Sequence, residues 1–294
     1  MTLFKGVGVA MVTPFGNDGG IDYGVLKEYV EHLISGGASA LIPFGTTGEP
    51  ATVTAAEYEK ATAFIIKQVN KRVPVIVGAG SNNTALAYDH ALTAKRLGAD
   101  GVLVVTPYYN KCTQNGIIEH YKAVAKAGIP VIAYNVPSRT GVNIAPATVR
   151  RLAEINGVVG IKEANGNMDH FMQVAKICGE VGLDMYSGED GLTAVAIMLG
   201  CKGVISVAAN PAPKQMAELC NLCFNGDYQK AVQLQFKLQE LIDSLFCEVN
   251  PIPAKKAMQL LGFEVGTPRL PLTEMEKDHT ERLKAAMCEL GLIA

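Results

Sequence analysis

The chain has no tryptophan, an aromatic content of only 6%, five histidines and no block of consecutive lysines or arginines. With a net charge of −2, it lacks the positive field that a nucleic-acid or membrane-surface binder needs. No apolar run approaches the roughly 20 residues of a membrane span. The N-terminal stretch MTLFKGVGVAMVTPFG is glycine-broken and meets Pro14 too early to read as a signal peptide. The phosphate-cradling pattern G-x-x-x-x-G-K-[ST] is absent, and GAGSNN at 78–83 lacks the last glycine of the dinucleotide fingerprint, so neither ATP nor NAD use is supported. What remains is a small-molecule enzyme without a nucleic-acid or membrane partner, with the cytoplasm as the simplest location.

Seven cysteines are scattered through segments with helical patterns, and without a secretory signal they are expected to be reduced. Cys220 and Cys223 form a lone C-x-x-C, but no second pair or nearby histidine completes a zinc site, so both read as apolar residues on one helical face. All five histidines (His32, His90, His120, His170, His279) fall in predicted helices and none at a strand end, which disfavours metal-dependent aldol chemistry.

What is present is apolar material, 49% of residues against 18% charged, in a repeating order. Short runs rich in Val, Ile and Gly alternate with longer amphipathic ones, the pattern of βαβ units and a parallel sheet. Strands are predicted at 6–13, 39–45, 73–80, 101–107, 130–136, 158–164, 184–189 and 203–209, nearly apolar throughout as when both faces are covered. Eight such strands, each followed by a helical pattern, predict a (β/α)8 barrel over residues 1–224. Beyond that point only helical patterns remain, so residues 225–294 are expected to form a small C-terminal helical domain packed on the barrel.

Active sites of such barrels lie at the C-terminal ends of the strands, which makes the search for unusual polar residues short. Lys162, in VVGIKEA, places an amine inside an apolar strand on the same face as Gly160. Burial disfavours its ammonium form and leaves an amine able to attack a ketone and form an imine. Tyr134, near the end of strand five, could face that amine across adjacent strands and carry protons. Arg139, in the loop that follows, can clamp a carboxylate through its planar fork. The turn GTTGE at 45–49 offers backbone amides to a carboxylate and a threonine hydroxyl to a proton relay. On the residues alone each has a plainer reading: a lysine paired with Glu163, a tyrosine bonded to a carbonyl, a surface salt bridge, a tight turn without a ligand.

GTTGE, TPYYN (106–110), YNVPSRTG (134–141), GIKEA (160–164), SGED (187–190), GVISV (203–207) and NPIP (250–253), in this order and spacing, resemble the dihydrodipicolinate synthase family along essentially the whole chain. The strand-six lysine and GTTGE-type turn are shared with the wider superfamily of pyruvate-dependent aldolases that includes N-acetylneuraminate lyase. YNVPSRTG with TPYYN is the narrower signal. The resemblance implies a Schiff-base lyase that condenses pyruvate with L-aspartate 4-semialdehyde to 4-hydroxy-tetrahydrodipicolinate, with no cofactor and no metal. It makes Lys162 the Schiff-base residue. It makes Thr46, Tyr134 and Tyr109 a proton relay, with Tyr109 supplied by a neighbouring subunit of a homo-oligomer, commonly a dimer of dimers (a homotetramer). It places pyruvate's carboxylate on Thr47, the semialdehyde's carboxylate on Arg139, and backbone groups of Gly188 and Ile205 along the pyruvate pocket.

Many members of that family are inhibited by L-lysine at the subunit interface, and here the match is partial. Ala51, Asn82 and Tyr108 agree with that site as a remnant. Ala55 and Tyr58 stand where sensitive members carry histidine, and Leu86 stands where an acidic residue would pair with the effector's amine. Weak or absent lysine feedback is therefore expected. Two competing readings stay open on sequence: a sister aldolase acting on a sialic or keto-sugar acid, and a catalytically dead scaffold.

Overall fold

The computed structural model describes residues 2–294. Each apolar run carries a strand: β1 Gly6–Ala10, β2 Ala40–Ile42, β3 Ile76–Gly78, β4 Gly101–Val105, β5 Val131–Asn135, β6 Val158–Glu163, β7 Asp184–Ser187 and β8 Gly203–Ser206. The strands are parallel in the order β2-β1-β8-β7-β6-β5-β4-β3. The two ends meet in a parallel bridge of Leu41 with Val75, flanked by Leu41 N donating to Pro74 O at 2.9 Å and Gly78 N to Pro43 O at 2.8 Å. The predicted eight-stranded barrel is therefore the fold.

The strands are shorter than the runs that announced them, and β2 shows why. Pro43 has no N–H to give a ladder, and Phe44 turns the chain at φ +56°. Its carbonyl is swung onto Gly78, where a Cβ would lie 1.8 Å from it, so only glycine lets the two strands close there. Side chains alternate, as the two-residue period requires. Phe4, Ala10, Ile42, Ile76, Leu103, Ile132, Tyr134, Tyr186 and Ile205 fill the barrel, while Val7, Val9, Val77, Val102, Val104 and Ile161 face the helices outside.

The outer ring consists of α1 Tyr23–Ser35, α2 Ala55–Val69, α3 Thr84–Leu97, α4 Gln114–Ala125, a turn of helix α5 Pro137–Thr140, α6 Pro146–Ala153, α7 Met168–Val181, α8 Thr193–Met198 and α9 Pro213–Phe224. Local sequence fixes their ends: Thr54 and Glu57 cap α2 reciprocally, Asn83 caps α3, and Gly98 and Gly182 end α3 and α7 in the left-handed conformation. Cys220 and Cys223 are buried on α9 as apolar side chains. Of the helices that follow, α10 Tyr228–Leu245 packs against α8 and α9, α11 Ile252–Leu260 and α12 Lys277–Glu289 pack on α10 and on each other, and the extension brings residues 249–251 and 271–272 back to the mouth of the barrel.

One buried group of the ring carries a pH consequence. His120 on α4 bonds Thr84 Oγ1 through Nδ1 at 2.9 Å, while its Nε2 is buried without a partner. Burial holds its pKa down to about 4. In the unfolded chain the ring takes up a proton near pH 6.5, so the stability tied to its neutral form is present above that pH and is lost as pH falls towards 4. About 2 kcal/mol should disappear by pH 5. Urea midpoints at pH 7.5 and pH 5 should therefore diverge less in His120→Gln than in the parent, and an equal drop in both would refute this role.

Candidate active site

The site grows from two neighbouring strands. Lys162 on β6 and Tyr134 on β5 are register partners, and both side chains turn into the barrel. Lys162 is 5% exposed, with its Nζ 4.3 Å from the centre of the Tyr134 ring. Glu163, one residue on, points the other way. Its carboxylate accepts from Asn135 Nδ2 at 3.0 Å and lies 3.5 Å from His170 Nε2, so it is no partner for Lys162. Gly188, after β7, completes the seat: a Cβ there would stand 2.9 Å from Lys162 Cε and 2.6 Å from Ala164 Cβ. Any larger residue would displace the lysine arm.

Above these residues opens a cavity of about 220 Å³, lined by Thr46, Thr47, Tyr134, Arg139, Lys162, Gly188, Glu189 and Asn250 among others. The GTTGE segment enters it as a 3₁₀ turn over Thr46–Gly48. The amides of Gly48 and Glu49 are spent on Gly45 O and Thr46 O, so those of Thr46 and Thr47 are the front donors. Thr47 is held by Asn250 Nδ2, which donates to its Oγ1 at 2.9 Å. Arg139 stands exposed at the mouth and donates to Asn250 O at 3.3 Å. The hydroxyls of Thr46 and Tyr134 form no hydrogen bond within the described chain, which leaves both open to a ligand.

Six of the eight predicted catalytic and substrate-binding residues thus line one cavity. Ile205 does not; it is buried in the barrel interior, and Val207 two residues on reaches the cavity instead. Tyr109 is 89% exposed, held at φ +72° on the rim, and lines neither this cavity nor the larger one beside it. That second cavity, about 690 Å³, shares Thr46, Tyr134, Arg139 and Asn250 with the first and so continues its mouth. It gathers Ala51, Asn82 and Tyr108 together with Ala55, Tyr58 and Leu86. It also contains His90, stacked on Tyr58 at 4.8 Å between centroids and held below the usual imidazole range by burial.

The residues sequence reasoning missed come from the C-terminal extension. Asn250 lies 203 positions from the threonine it holds. Lys255, 1% exposed, forms an ion pair with Glu49 at 3.0 Å, donates to Thr267 O at 3.1 Å and lies over the Phe15 ring at 4.1 Å. Burial pulls its pKa down to about 8, against the pull of Glu49. The other oxygen of Glu49 accepts from Arg269 N at 2.8 Å, and the Arg269 guanidinium bonds Glu57. Glu49 itself sits at φ +54°, unfavourable for a residue with a side chain, so this network holds the threonine turn in a strained form. NPIP was the one visible trace of it in the sequence. Asp190 proves to be a brace rather than a reactant: it accepts from Val207 N and Ala208 N, both at 2.9 Å, and burial raises its pKa.

Comparison with known proteins gives the family. The model of the dihydrodipicolinate synthetase family matches residues 3–290. A 4-hydroxy-tetrahydrodipicolinate synthase of Clostridium novyi is 48% identical over 288 residues, covering 98% of this chain and 97% of that one. The crystal structure of dihydrodipicolinate synthase from Thermotoga maritima superposes with a TM-score of 0.97 at 42% identity, over 99% of this chain and all of the other. One from Cyanidioschyzon merolae with lysine bound gives 0.96 at 38% identity, each chain fully covered.

Proposed function

The chain belongs to the dihydrodipicolinate synthetase family, and from that premise we propose that Lys162 is the amine that forms the imine with pyruvate in the 220 Å³ cavity. The reaction is condensation of pyruvate with L-aspartate 4-semialdehyde to 4-hydroxy-tetrahydrodipicolinate, on the route to diaminopimelate and lysine. The observation that carries the residue assignment is the register pairing of Lys162 with Tyr134 inside the barrel.

The residues divide the work along the cavity. The Lys162 amine attacks the ketone of pyruvate, whose carboxylate is held by Thr47 and the front amides of the 3₁₀ turn. Iminium formation makes the pyruvate methyl acidic, because the positive nitrogen accepts the electron pair left by the proton. Tyr134 and Thr46 move that proton and those of water loss. The enamine carbon then attacks the aldehyde of the second substrate, whose carboxylate is clamped by Arg139. With pyruvate supplied, the protein should consume L-aspartate 4-semialdehyde, leave N-acetylmannosamine untouched, and keep its rate in EDTA. Turnover of the sugar at a comparable rate would replace this reading with a sialic-acid aldolase.

Tyr109 fits the same scheme through a second copy of the chain. Its side chain is 89% exposed at φ +72°, and this outward position supports a role in the relay of a neighbouring subunit. We assign the working unit to a homodimer, paired into a tetramer and acting in the cytoplasm. Among the described residues no helix is long and apolar enough to cross a membrane.

The larger cavity keeps the outline of an effector site, but Leu86 offers an incoming ammonium no carboxylate and Glu49 on its wall is already paired with Lys255. Loss of that charge-assisted bond weakens binding by roughly 1.5–3 kcal/mol. L-Lysine at about 1 mM, tenfold or more weaker by this figure, should leave most of the activity. Near-complete inhibition below that concentration would contradict the assignment.

A further inference from the structure

L-Aspartate 4-semialdehyde brings three groups into the site: an aldehyde, a carboxylate and an ammonium. The enamine on Lys162 receives the first and Arg139 the second, which leaves the ammonium without a partner. We propose that Glu189 binds that ammonium and takes a proton from it when the ring closes, an assignment that rests on Lys162 being the imine-forming amine.

Four carboxyl groups stand near the cavity and three are committed. Glu163 faces outward to Asn135 and His170, Asp190 is bound by the amides of Val207 and Ala208, and Glu49 is paired with Lys255 and Arg269 N. Glu189 lines the 220 Å³ cavity, and among the described residues its carboxyl has neither a hydrogen bond nor an ion pair. Its backbone is fixed on both sides by Ser187: the Glu189 amide donates to Ser187 Oγ at 3.1 Å, and that hydroxyl donates to Glu189 O at 3.0 Å. The preceding Gly188 abuts Lys162 Cε, so Glu189 follows directly from the residue against the reacting lysine.

Ring closure needs such a group. The ammonium cannot attack the iminium carbon until it gives up a proton and exposes its lone pair. The proton passes to the Glu189 carboxylate and the new C–N bond forms. Once a further proton has moved from the ring nitrogen to the lysine nitrogen, the bond from carbon to Lys162 Nζ breaks, with its electron pair returning to the lysine. A carboxylate with ordinary basicity would accept that proton poorly. Burial, Asp190 and Glu163 all push Glu189 upward, and only Lys162 among its charged neighbours opposes them, which brings it closer to the basicity the step requires.

The test uses Glu189→Gln, borohydride trapping and two aldehydes: L-aspartate 4-semialdehyde, and succinic semialdehyde, which lacks the amino group. The variant should form the trapped pyruvate adduct as the parent does. With L-aspartate 4-semialdehyde its turnover should fall about 100-fold, near the lower end of what a positioned base contributes, and the uncyclised condensation adduct should accumulate. The adduct with succinic semialdehyde should grow at the parental rate, and Glu189→Asp should recover part of the turnover. Equal slowing with both aldehydes, or unchanged turnover with the natural one, overturns the proposal; so does loss of the pyruvate adduct in both variants, which would tie Glu189 to Lys162 itself. Absence of a pyruvate adduct on the parent protein would instead overturn the Schiff-base reading.

Discussion

Replacing Lys162 with alanine removes the imine and with it the reaction: turnover should fall by at least about 10³-fold, roughly 4 kcal/mol of barrier, while the fold survives. The side chain lies in a cavity over the Tyr134 ring rather than in a packed layer, and no ion pair holds it, since Glu163 is turned to Asn135 and His170. Its loss breaks no ion pair and removes only its through-space attraction for Glu189 and Asp190. Thermal unfolding should thus shift by no more than a few degrees while the activity disappears. A large drop in melting temperature alongside the loss would mean that Lys162 supports the barrel, and residual activity within tenfold of the parent would mean that another amine carries the chemistry.

Lys255→Met should have the opposite signature, with stability failing first. Glu49 and Lys255 are almost wholly buried, and removing one partner strands the other charge at about 3–5 kcal/mol. The melting temperature should fall by about 10 °C. Because Glu49 ends the turn that carries Thr46 and Thr47, pyruvate KM should rise as well. The double variant Glu49→Gln, Lys255→Met replaces the charged pair with a neutral one and should recover much of the lost stability, since a buried ion pair is worth little over a well-packed neutral substitute. If the double variant were as unstable as the sum of the two single ones, the pair would not be acting as a pair.

The distribution of these residues along the chain explains what could be read from sequence. Lys162 announces itself because a lysine in VVGIKEA contradicts its surroundings, and the two-residue period alone puts it on the interior face with Gly160. The eight strands were visible for the same reason, since each is an apolar run between helical patterns. Their ends were not, because Pro43 and the left-handed Phe44 stop β2 through backbone geometry that hydrophobicity does not register. Asn250, in the turn before α11, and Lys255, on a helix whose periodicity says only that it packs somewhere, lie some 200 positions from Thr47 and Glu49. Nothing short of the fold brings them to the site. Tyr109 shows the converse: family resemblance assigned it a role, and within a single chain it stands outside the cavity.

The central claim is tested most directly by intact mass after pyruvate and borohydride are added to the protein and to Lys162→Ala. A reduced pyruvyl adduct on the first and none on the second is the predicted result. An adduct on both, or on neither, would contradict the assignment of Lys162 as the imine-forming residue.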